Sequence, residues 1–377
     1  MEPLFLGTGL ICLAAALAHF VSIFTVIVRM RRAAALQPLP CYDVAVSVLR
    51  PVCGTENYVE ETLRTAFLLE HARFELLLCV ANANDPVVPI VRRLIAEHPR
   101  VEARLLIGNS EISANPKLNN LVKGWRAARH DWILMADSNV RMPRDHVARM
   151  LSAWDMATGL VCSPPVGCAP GNMWAELECA FLNTYQARWQ CFADSLGFGF
   201  AQGKAMLFRR ELLERAGGIE VLANEIAEDA AATKAIRLLG LHVRLVATPF
   251  EQPLGRRSAL DVWHRQLRWA RLRRDTFKAC FVPELFAGAA PALLLAAVTA
   301  GACDWPIALA VLPLAIAWYG AEALLAHCAG WQLMWRSILT WTMRDALLPL
   351  LWISAWLGSD FEWRGNAMTV ADPRGAA

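Results

Sequence analysis

Two short segments of the chain carry residues that suit a single chemical step. Glu228 and Asp229 form a carboxylate pair, and a carboxylate can accept a proton from a hydroxyl group. Arg265, Arg268 and Trp269 follow further along the chain, and guanidinium groups bind phosphate oxygens well. Removal of a proton from a hydroxyl group while a diphosphate leaves is the chemistry of glycosyl transfer from a nucleotide sugar.

Two further aspartates, Asp85 and Asp137, each follow an apolar run with the composition of a β-strand. Ligands of open parallel sheets bind beyond the carboxyl ends of the strands, so we expect both carboxylates at one crevice. Asp137 is a candidate ligand for Mg2+ or Mn2+, which would neutralise a diphosphate leaving group. A lone aspartate at a strand end is more often a turn residue or a helix cap, so neither carries the argument alone.

The elements that must position these residues alternate between strand and helix patterns. Helical spacing of apolar residues occurs in 59–70 and 87–97, and the predicted strands are 44–49, 76–80, 103–107 and 132–136. This alternation predicts an α/β domain over residues 43–280, with a mostly parallel sheet covered by helices on both faces. The sequence has no glycine-rich dinucleotide fingerprint after its first strand and no P-loop.

The composition predicts a membrane protein with a water-facing domain. Of the 377 residues, 56% are hydrophobic and 15 are tryptophan, which is too apolar for an ordinary soluble protein. Residues 4–28 carry no formal charge and exceed the roughly 20 residues that span a bilayer. A cleaved signal peptide is the alternative, but no basic residue precedes the run and the run is too long. We therefore predict a retained anchor in residues 1–32.

Basic residues flank the apolar segments and predict the topology. They follow the anchor at Arg29, Arg31 and Arg32, and they precede the next apolar segment at Arg271, Arg273, Arg274 and Lys278. By the positive-inside rule, the domain between them lies in the cytoplasm, as in an integral protein of a bacterial inner membrane. Because the net charge is only +3, these residues are better explained as topology signals than as a nucleic-acid surface. The 11 cysteines include no CxxC pair, so a zinc site is not expected.

Residues 281–377 form the predicted C-terminal membrane region. The runs 285–303 and 305–321 carry no charge and are typical of a helical hairpin that crosses the bilayer twice. The last apolar block, 333–357, contains Arg336, Arg344 and Asp345. Ionisable groups at bilayer depth usually face protein or a polar cavity, so this block is either a re-entrant or interfacial helix or a full span.

An apolar and aromatic helix is predicted over residues 173–193, either as core or as a helix at the membrane surface. The glycine-rich segment 197–204 follows it and suits close approach of the backbone to a sugar.

With these motifs in this order, the chain resembles glycosyltransferase family 21, the ceramide glucosyltransferases. The family's three aspartates and its final (Q/R)xxRW motif match Asp85, Asp137, Asp229 and the Arg265–Trp269 segment, and residues 103–108 and 115–121 are similar to family segments. The resemblance implies a GT-A-type catalytic domain that moves a hexose from a UDP-sugar to a ceramide, with inversion. It extends over nearly the whole chain.

The resemblance also implies roles for individual residues. Asp229, with Glu228 beside it, is expected to be the general base, and Asp137 to hold Mg2+ or Mn2+. The UDP-sugar is expected to contact Pro51, Asp85, Lys117, Arg265, Arg268 and Trp269. The acceptor region is expected at Gln186, Arg188, Gln202 and Gly203. This sequence departs from the family at Gln186, where eukaryotic members have a histidine, and at Asn82 and Asn84, where they have acidic residues.

Other readings remain open at this point. Related bacterial enzymes glycosylate hopanoids, so another membrane lipid is an alternative acceptor, and a sugar other than glucose is an alternative donor. A processive polysaccharide synthase shares related motifs but needs more membrane spans than this chain shows. A membrane scaffold without catalytic activity would explain the helices but not the ordered motifs.

Overall fold

A computed structural model describes residues 2–35, 39–363 and 366–369 of the chain. The α-helices are α1 Glu2–Ala35, α2 Val59–Ala66, α3 Val88–Glu97, α4 Pro116–Ala127, α5 His146–Ser152, α6 Met173–Ala180, α7 Arg188–Ser195, α8 Arg210–Arg215, α9 Glu228–Leu238, α10 Ala259–Thr276, α11 Lys278–Phe281, α12 Ala289–Ala302, α13 Ile307–Ala329 and α14 Ser337–Trp356. A π-helical segment, Phe181–Ala187, joins α6 to α7, and short 3-10 helices cover Ile219–Asn224 and Val282–Phe286.

The strands are β1 Val46–Val52, β2 Phe74–Val80, β3 Glu102–Ile107, β4 Trp132–Ala136, β5 Thr158–Ser163, β6 Pro165–Pro170, β7 Ala205–Arg209, β8 His242–Leu245, β9 Phe250–Gly255, β10 Asp360–Trp363 and β11 Asn366–Thr369. The described residues fall into two compact units. The helical unit takes its residues from 1–32, 167–192 and 256–367, and the sheet unit from 33–166, 193–255 and 368–377. The division into segments 1–32, 43–280 and 281–377 made from the sequence stays a prediction.

A seven-stranded sheet in the order β3-β2-β1-β4-β7-β5-β8 forms the centre of the sheet unit. Strands β3, β2, β1 and β4 run parallel to one another, and β5 is parallel to β8. Strand β7 lies antiparallel to both β4 and β5. The prediction of a mostly parallel sheet is therefore confirmed, and the four predicted strands correspond to β1–β4.

The central strands are buried along their whole length, because both faces of the sheet are covered. Every residue of β1 is buried, and Val46, Val48, Leu76 and Leu78 have no exposed surface. Such continuous apolar runs are typical of parallel strands covered on both faces, whereas alternating runs mark half-exposed strands. The apolar core therefore fixes the strand positions, and the polar residues that follow the strands lie at their carboxyl ends.

Arg50 is the charged residue inside β1, and it holds the loop that follows β4. Its side chain has no exposed surface, and Nη2 donates to the carbonyl oxygens of Asp137 at 2.8 Å and Val140 at 3.2 Å. Nη1 donates to the carbonyl of Thr62 at 3.4 Å. Buried carbonyl groups need such partners, so Arg50 determines where the residues after β4 lie.

Membrane-length helices occur in the helical unit. Within the described residues, two segments are long and apolar enough to cross a bilayer, Gly7–Ala35 and Ile307–Ala329. The number rises to three if Lys278–Phe286 and Ala289–Ala302, which meet at a bend of 54°, form one broken span. These segments overlap the predicted anchor and the two runs of the predicted hairpin. Membrane-spanning helices by length and composition are therefore confirmed, whereas the retained anchor and the twofold crossing stay predictions.

Helix α14 places two ionisable residues inside the helical unit. Arg344 and Asp345 are each about 1% exposed, and Arg344 Nε lies 2.8 Å from Asp345 Oδ1. Arg344 Nη2 also lies 2.8 Å from Oε1 of the fully buried Glu322 on α13, and Nη1 donates to Thr184 Oγ1 at 2.7 Å. These charges face protein, as expected from the cost of exposing them to hydrocarbon.

We predict that Arg50→Leu lowers the midpoint of thermal unfolding strongly. The substitution leaves buried carbonyl groups without their donor, at about 1–3 kcal/mol for each group. Arg93→Leu is the matched control, because Arg93 is 53% exposed and pairs only with surface carboxylates of Glu60 and Glu97. Exposed pairs contribute about 0–1 kcal/mol, so the control should change the midpoint little. Equal midpoints for the two variants would contradict the role given to Arg50.

Candidate active site

The ammonium group of Lys117 joins three separate segments of the sheet unit. Its Nζ lies 2.7 Å from Asp137 Oδ1, after β4, and 2.6 Å from Glu228 Oε1, at the start of α9. It also donates to the carbonyl oxygen of Gly203, before β7, at 2.5 Å. Lys117 is therefore the point at which the predicted site residues of the sheet unit meet.

The start of α4 explains why Lys117 lies there. Asn115 caps this helix, and its Oδ1 accepts hydrogen bonds from the backbone N–H groups of Lys117 and Leu118 at 2.9 and 3.2 Å. Pro116 occupies the first helical turn, where its missing N–H costs nothing. The same Asn115 donates from Nδ2 to Glu228 Oε2 at 2.7 Å, which connects the helix start directly to the carboxylate pair.

A second lysine completes the environment of Asp137. Lys204 Nζ lies 3.0 Å from Asp137 Oδ2 and 3.2 Å from Asn139 Oδ1. The backbone supports this arrangement, because the Asp137 N–H donates to the Lys204 carbonyl oxygen at 2.9 Å. Each oxygen of the Asp137 carboxylate thus contacts an ammonium group.

The two carboxylates of the Glu228–Asp229 pair have different partners. Glu228 contacts Lys117 through Oε1 and Asn115 through Oε2. Asp229 accepts backbone N–H groups instead, from Gly203 to Oδ2 and from Ala230 to Oδ1, both at 2.8 Å. Glu228 is held by a full positive charge, whereas the backbone orients Asp229 and leaves it able to accept a proton.

The electrostatic environments of Asp137 and Asp229 shift the pKa values of the two carboxyl groups in opposite directions. Burial alone would raise the pKa of Asp137, but the ammonium groups of Lys117 and Lys204 outweigh burial and hold the pKa below its usual value. Burial and the neighbouring charge of Glu228 raise the pKa of Asp229 to about 6, against the opposing effect of the Gly203 N–H. Burial alone would lower the pKa of Lys117, but Asp137 and Glu228 hold it above its usual value. Asp229 is therefore the carboxylate that exchanges a proton near neutral pH.

Gly203 is required because three charged groups approach its backbone. A Cβ atom at this position would lie 2.7 Å from Glu228 Oε1, 3.1 Å from Lys117 Nζ and 3.3 Å from Asp229 Oδ2. The prediction that the 197–204 segment lets the backbone approach a sugar closely stays a prediction. Gln202, the preceding residue, is half-buried on the same segment.

Asp85 and Pro51 lie at the same edge of the sheet as Asp137. Pro51 is buried near the end of β1, in register with Cys79 of β2, and β1 lies between β2 and β4. Asp85 follows β2, and its carboxylate accepts the Gly54 N–H at 3.0 and 3.1 Å and the Val87 N–H at 2.9 Å. Since the parallel strands end at one edge, the expected placement of the two aspartates is observed.

The Arg265–Trp269 segment lies on α10 in the helical unit. Arg265 Nη1 is 2.8 Å from Oε1 of Glu178, a carboxylate with no exposed surface, and Arg257 Nε is 3.1 Å from its Oε2. Arg268 and Trp269 are half-buried on the same helix. The role of this segment on a diphosphate stays a prediction.

Gln186 and Arg188 also belong to the helical unit. Gln186, in the π-helical segment, donates from Nε2 to Gln266 Oε1 at 2.9 Å. Arg188 is 1% exposed, and it donates to the carbonyl oxygen of Thr184 at 2.7 Å and to Ser22 Oγ at 2.8 Å. Their assignment to the acceptor region stays a prediction.

The sequence reasoning gave no role to Lys204, Asn115, Asn139 or Gln266. Asn115 carried a usable signal, because asparagine followed by proline often begins a helix. Lys204 and Gln266 carried none, because nothing in a single sequence places them beside Asp137 or Gln186. Among the described residues, no group of three or more His, Cys, Asp or Glu side chains suits a metal ion, and the assignment of Asp137 as a metal ligand stays a prediction.

Comparison with known proteins identifies the family of this chain. Residues 14–376 match the sequence profile described as Glycosyl transferase family 21. The chain belongs to this family. The family recognised from the sequence motifs is thereby confirmed, and the protein is a glycosyltransferase.

Relatives and solved structures extend the comparison. The chain is similar to Ceramide glucosyltransferase 1 of Caenorhabditis elegans, with 27% identity over 94% of this chain and 77% of that protein. It is 36% identical to the Ceramide glucosyltransferase of Komagataella phaffii, over 31% of this chain and 24% of that protein. The fold is similar to that of mannosyltransferase PcManGT from Pyrobaculum calidifontis, solved in complex with GDP-Man and Mn2+. That match has 21% identity and a TM-score of 0.51, and it covers 93% of this chain and 98% of the other. The predicted GT-A fold is confirmed.

We predict that Gly203→Ala lowers kcat/KM for glycosyl transfer by about tenfold or more, because misplacing positioned groups by an ångström is costly. The added methyl group would displace Glu228 from Lys117. Gly320→Ala is the matched control, since a Cβ there meets nothing within 4 Å. Circular dichroism should show that both variants fold. Full activity of Gly203→Ala would contradict the close packing of these charges.

Proposed function

We propose that this glycosyltransferase moves a hexose, glucose in the first instance, from a UDP-sugar to the primary hydroxyl group of ceramide, giving a β-glycosylceramide. The observation that carries the proposal is the environment of the Asp229 carboxylate. The Gly203 N–H donates to Asp229 Oδ2 at 2.8 Å and orients it, and the pKa of Asp229 is raised to about 6. The ion pair of Lys117 and Asp137 belongs to the same network. The names of the relatives, ceramide glucosyltransferases, support a lipid acceptor and a glucose donor.

Asp229 acts as the general base in this proposal. Its carboxylate takes the proton from the acceptor hydroxyl group as the oxygen bonds to the anomeric carbon. The bond from that carbon to the diphosphate breaks on the opposite face, and UDP leaves with the electron pair, so the configuration inverts. Lys117 and Asn115 contact both oxygens of Glu228. It orients Lys117 and raises the pKa of Asp229.

The positive charges of the sheet unit suit the negatively charged diphosphate of a UDP-sugar donor. Lys117 and Lys204 lie within 3.0 Å of the Asp137 carboxylate, so a diphosphate that arrives beside it meets two ammonium groups already in place. Such preorganised charge stabilises the leaving group without later rearrangement. Pro51 and Asp85, at the same sheet edge, border the nucleotide base, and Arg265, Arg268 and Trp269 contribute to diphosphate binding.

Asp137 and Asn139 also suit a divalent metal ion. Their oxygens Oδ2 and Oδ1 both contact the Lys204 ammonium, which acts as a stand-in cation, so this pair of hard oxygen donors binds positive charge. Mg2+ or Mn2+ would be held by Asp137, assisted by Asn139, in exchange for that ammonium group. Bound there, the ion would neutralise charge on the leaving diphosphate.

The membrane helices suit an acceptor that arrives within the bilayer. The cationic flanks of the membrane segments favour a cytoplasmic position for the catalytic residues, where UDP-sugars are made, and an inner-membrane location. A ceramide presents a hydroxyl group at the membrane surface while its chains stay in the lipid, so transfer does not require its extraction.

We predict that the detergent-purified protein, given UDP-glucose, glycosylates ceramide in preference to diacylglycerol or a hopanoid polyol in direct competition. Asp229→Asn should lower this activity about 100-fold or more, because it removes the base without changing volume. Asp145→Asn, which disrupts only a surface pair with Arg149, is the control and should keep full activity. Dominant labelling of another lipid would replace ceramide as the acceptor, and full turnover by Asp229→Asn would overturn the assignment of the base.

The same assignment predicts a pH profile. Only the ionised form of Asp229 accepts a proton, so kcat/KM should stay level above pH 6 and fall about tenfold per pH unit well below it. If the pKa of Asp229 were unshifted, kcat/KM would instead stay level to below pH 5. A profile measured between pH 4.5 and 8.5 distinguishes the two cases.

We predict that Lys204→Met tightens Mn2+ binding in the presence of UDP by about tenfold, since one competing charge-assisted hydrogen bond is worth about 1.5 kcal/mol. Asp137→Asn should weaken binding, and chelation of divalent ions by EDTA should stop turnover of the native enzyme. Lys234→Met is the control for net charge, because Lys234 pairs with Glu225 at the surface. Titration followed by electron paramagnetic resonance reports binding without turnover. Equal Mn2+ affinity in all variants would rule out Asp137 as a ligand.

A further inference from the structure

Three cationic side chains of the helical unit converge at the end of α14. Arg271 and Arg274 lie one turn apart on α10, and Lys278 is the first residue of α11. Arg274 Cζ and Lys278 Nζ lie 5.9 and 5.5 Å from the centre of the Trp356 ring, so both cations approach the same indole. Burial and the neighbouring Arg274 charge lower the pKa of Arg271, against the opposing effect of Asp360. Arg271, Arg274 and Lys278 therefore form one basic cluster.

The end of α14 uses only part of the hydrogen-bonding capacity of the two arginines. The last carbonyl groups of a helix have no partner within it. Arg274 Nη1 donates to the carbonyl oxygens of Ala355 and Gly358, the latter at 3.0 Å. Arg271 Nη1 donates to the carbonyl oxygen of Asp360. A guanidinium group has five N–H donors, and in the described ranges Nη2 of neither arginine has an acceptor. Both arginines can therefore donate to a further anion.

The basic cluster forms no ion pair with a carboxylate in the part of the chain that the structure describes. Arg273 on the same helix differs, because its Nε contacts both carboxylate oxygens of Glu284, at 2.8 and 3.1 Å. Asp275 and Asp360 are exposed to solvent and do not approach the cluster to ion-pair distance. Like charges that lie together favour the binding of an opposite charge. The cluster therefore suits a ligand that carries net negative charge.

Exposed apolar side chains lie on the same elements as the cluster. Ile353 on α14 and Leu357 directly after it are 48% and 81% exposed. Val282 and Phe286, in the 3-10 segment after α11, are 50% and 38% exposed. Lys278 is also the first residue of the bent helix pair that is long and apolar enough for one broken span. Such a span would place Lys278 at the level of the phospholipid head groups, where basic residues attract anionic lipids.

We propose that the basic cluster binds the head-group phosphate of an anionic phospholipid, whose acyl chains lie along the exposed apolar side chains of α14 and the 3-10 segment. The phosphate oxygens accept from Nη2 of Arg271 and Arg274 and from Lys278 Nζ. A zwitterionic phosphatidylcholine has the same phosphate, but the cluster repels its choline ammonium group, so net negative charge is selected. This lipid is bound without being a substrate, and it joins α11 and α14 to α10, which carries the Arg265–Trp269 segment.

The test compares binding of phosphatidylglycerol and phosphatidylcholine, with equal acyl chains, to the detergent-purified full-length protein by native mass spectrometry. The native protein should bind phosphatidylglycerol at least about tenfold more tightly. Lys278→Gln should weaken that binding about fivefold, and the double variant Arg271→Gln/Lys278→Gln about 25-fold, because each loses a positive charge near the phosphate. Lys278→Arg keeps the charge and should bind like the native protein.

Lys234→Gln is the control for net charge, because Lys234 pairs with Glu225 at the surface of the sheet unit. It should keep the native preference for phosphatidylglycerol. Equal affinity of the native protein for the two lipids would overturn the proposal, and so would a full preference in the double variant.

Thermal unfolding gives a second measurement and identifies the source of the phosphate. Phosphatidylglycerol should raise the unfolding midpoint of the native protein above its value in phosphatidylcholine, because a ligand of the folded state stabilises it. The Lys278→Gln variant should fold, since this side chain is exposed, and it should show a smaller rise. Inorganic phosphate at the same concentration should give no rise, and a rise as large as that with the lipid would show that the cluster binds a free anion instead. Neither measurement requires glycosyl transfer, so the lipid site stands or fails independently of the proposed function.

Discussion

The arrangement of the catalytic residues depends on the neutralisation of buried charge around Lys117. Its ammonium group lies between Asp137 and Glu228, with the Gly203 carbonyl oxygen as a third partner. Removing these charges from water one at a time would be costly, and their mutual contact offsets that cost. Each contact comes from a different segment of the chain, so the same ammonium group that balances the charge also joins α4, α9 and the loops beside β4 and β7.

Charge balance also decides which carboxylate can serve as a base. Lys117 and Lys204 together neutralise Asp137 and Glu228, and Asp229 is left with backbone N–H partners alone. Burial and the adjacent Glu228 charge then raise its pKa to about 6, while the pKa of Asp137 stays below its usual value. The pKa values of these two aspartates therefore shift in opposite directions because their environments differ, as occurs in enzymes that pair carboxylates.

The helical unit treats its buried polar groups in two different ways. Arg344, Glu322 and Asp345 satisfy one another at 2.8 Å, so their burial needs no further partner. Gln186 and Gln266 share one hydrogen bond and leave another acceptor and donor buried. The first group therefore suits a structural role between membrane helices, whereas burial of the glutamine pair is not fully compensated within the described part of the chain.

Much of the fold and part of the site follow from local sequence. The apolar runs that became β1–β4 have no other stable position than a covered parallel sheet, and parallel strands necessarily bring Asp85 and Asp137 to one edge. The Glu228–Asp229 pair and the uncharged membrane segments are also evident without a structure. The antiparallel strand β7 was not evident, because five residues of β-rich sequence do not reveal their direction.

The sequence could not determine which residues that lie far apart in the chain contact one another. The sequence showed that Lys117, Asp137 and Glu228 have suitable types, but only tertiary structure placed both carboxylates within 2.7 Å of the Lys117 ammonium group. Tertiary structure likewise placed Lys204 beside Asp137 and Gln266 beside Gln186. The physical reason is that residue type and periodicity act within a few turns of the chain, whereas pKa values and unsatisfied hydrogen bonds depend on neighbours that only packing selects.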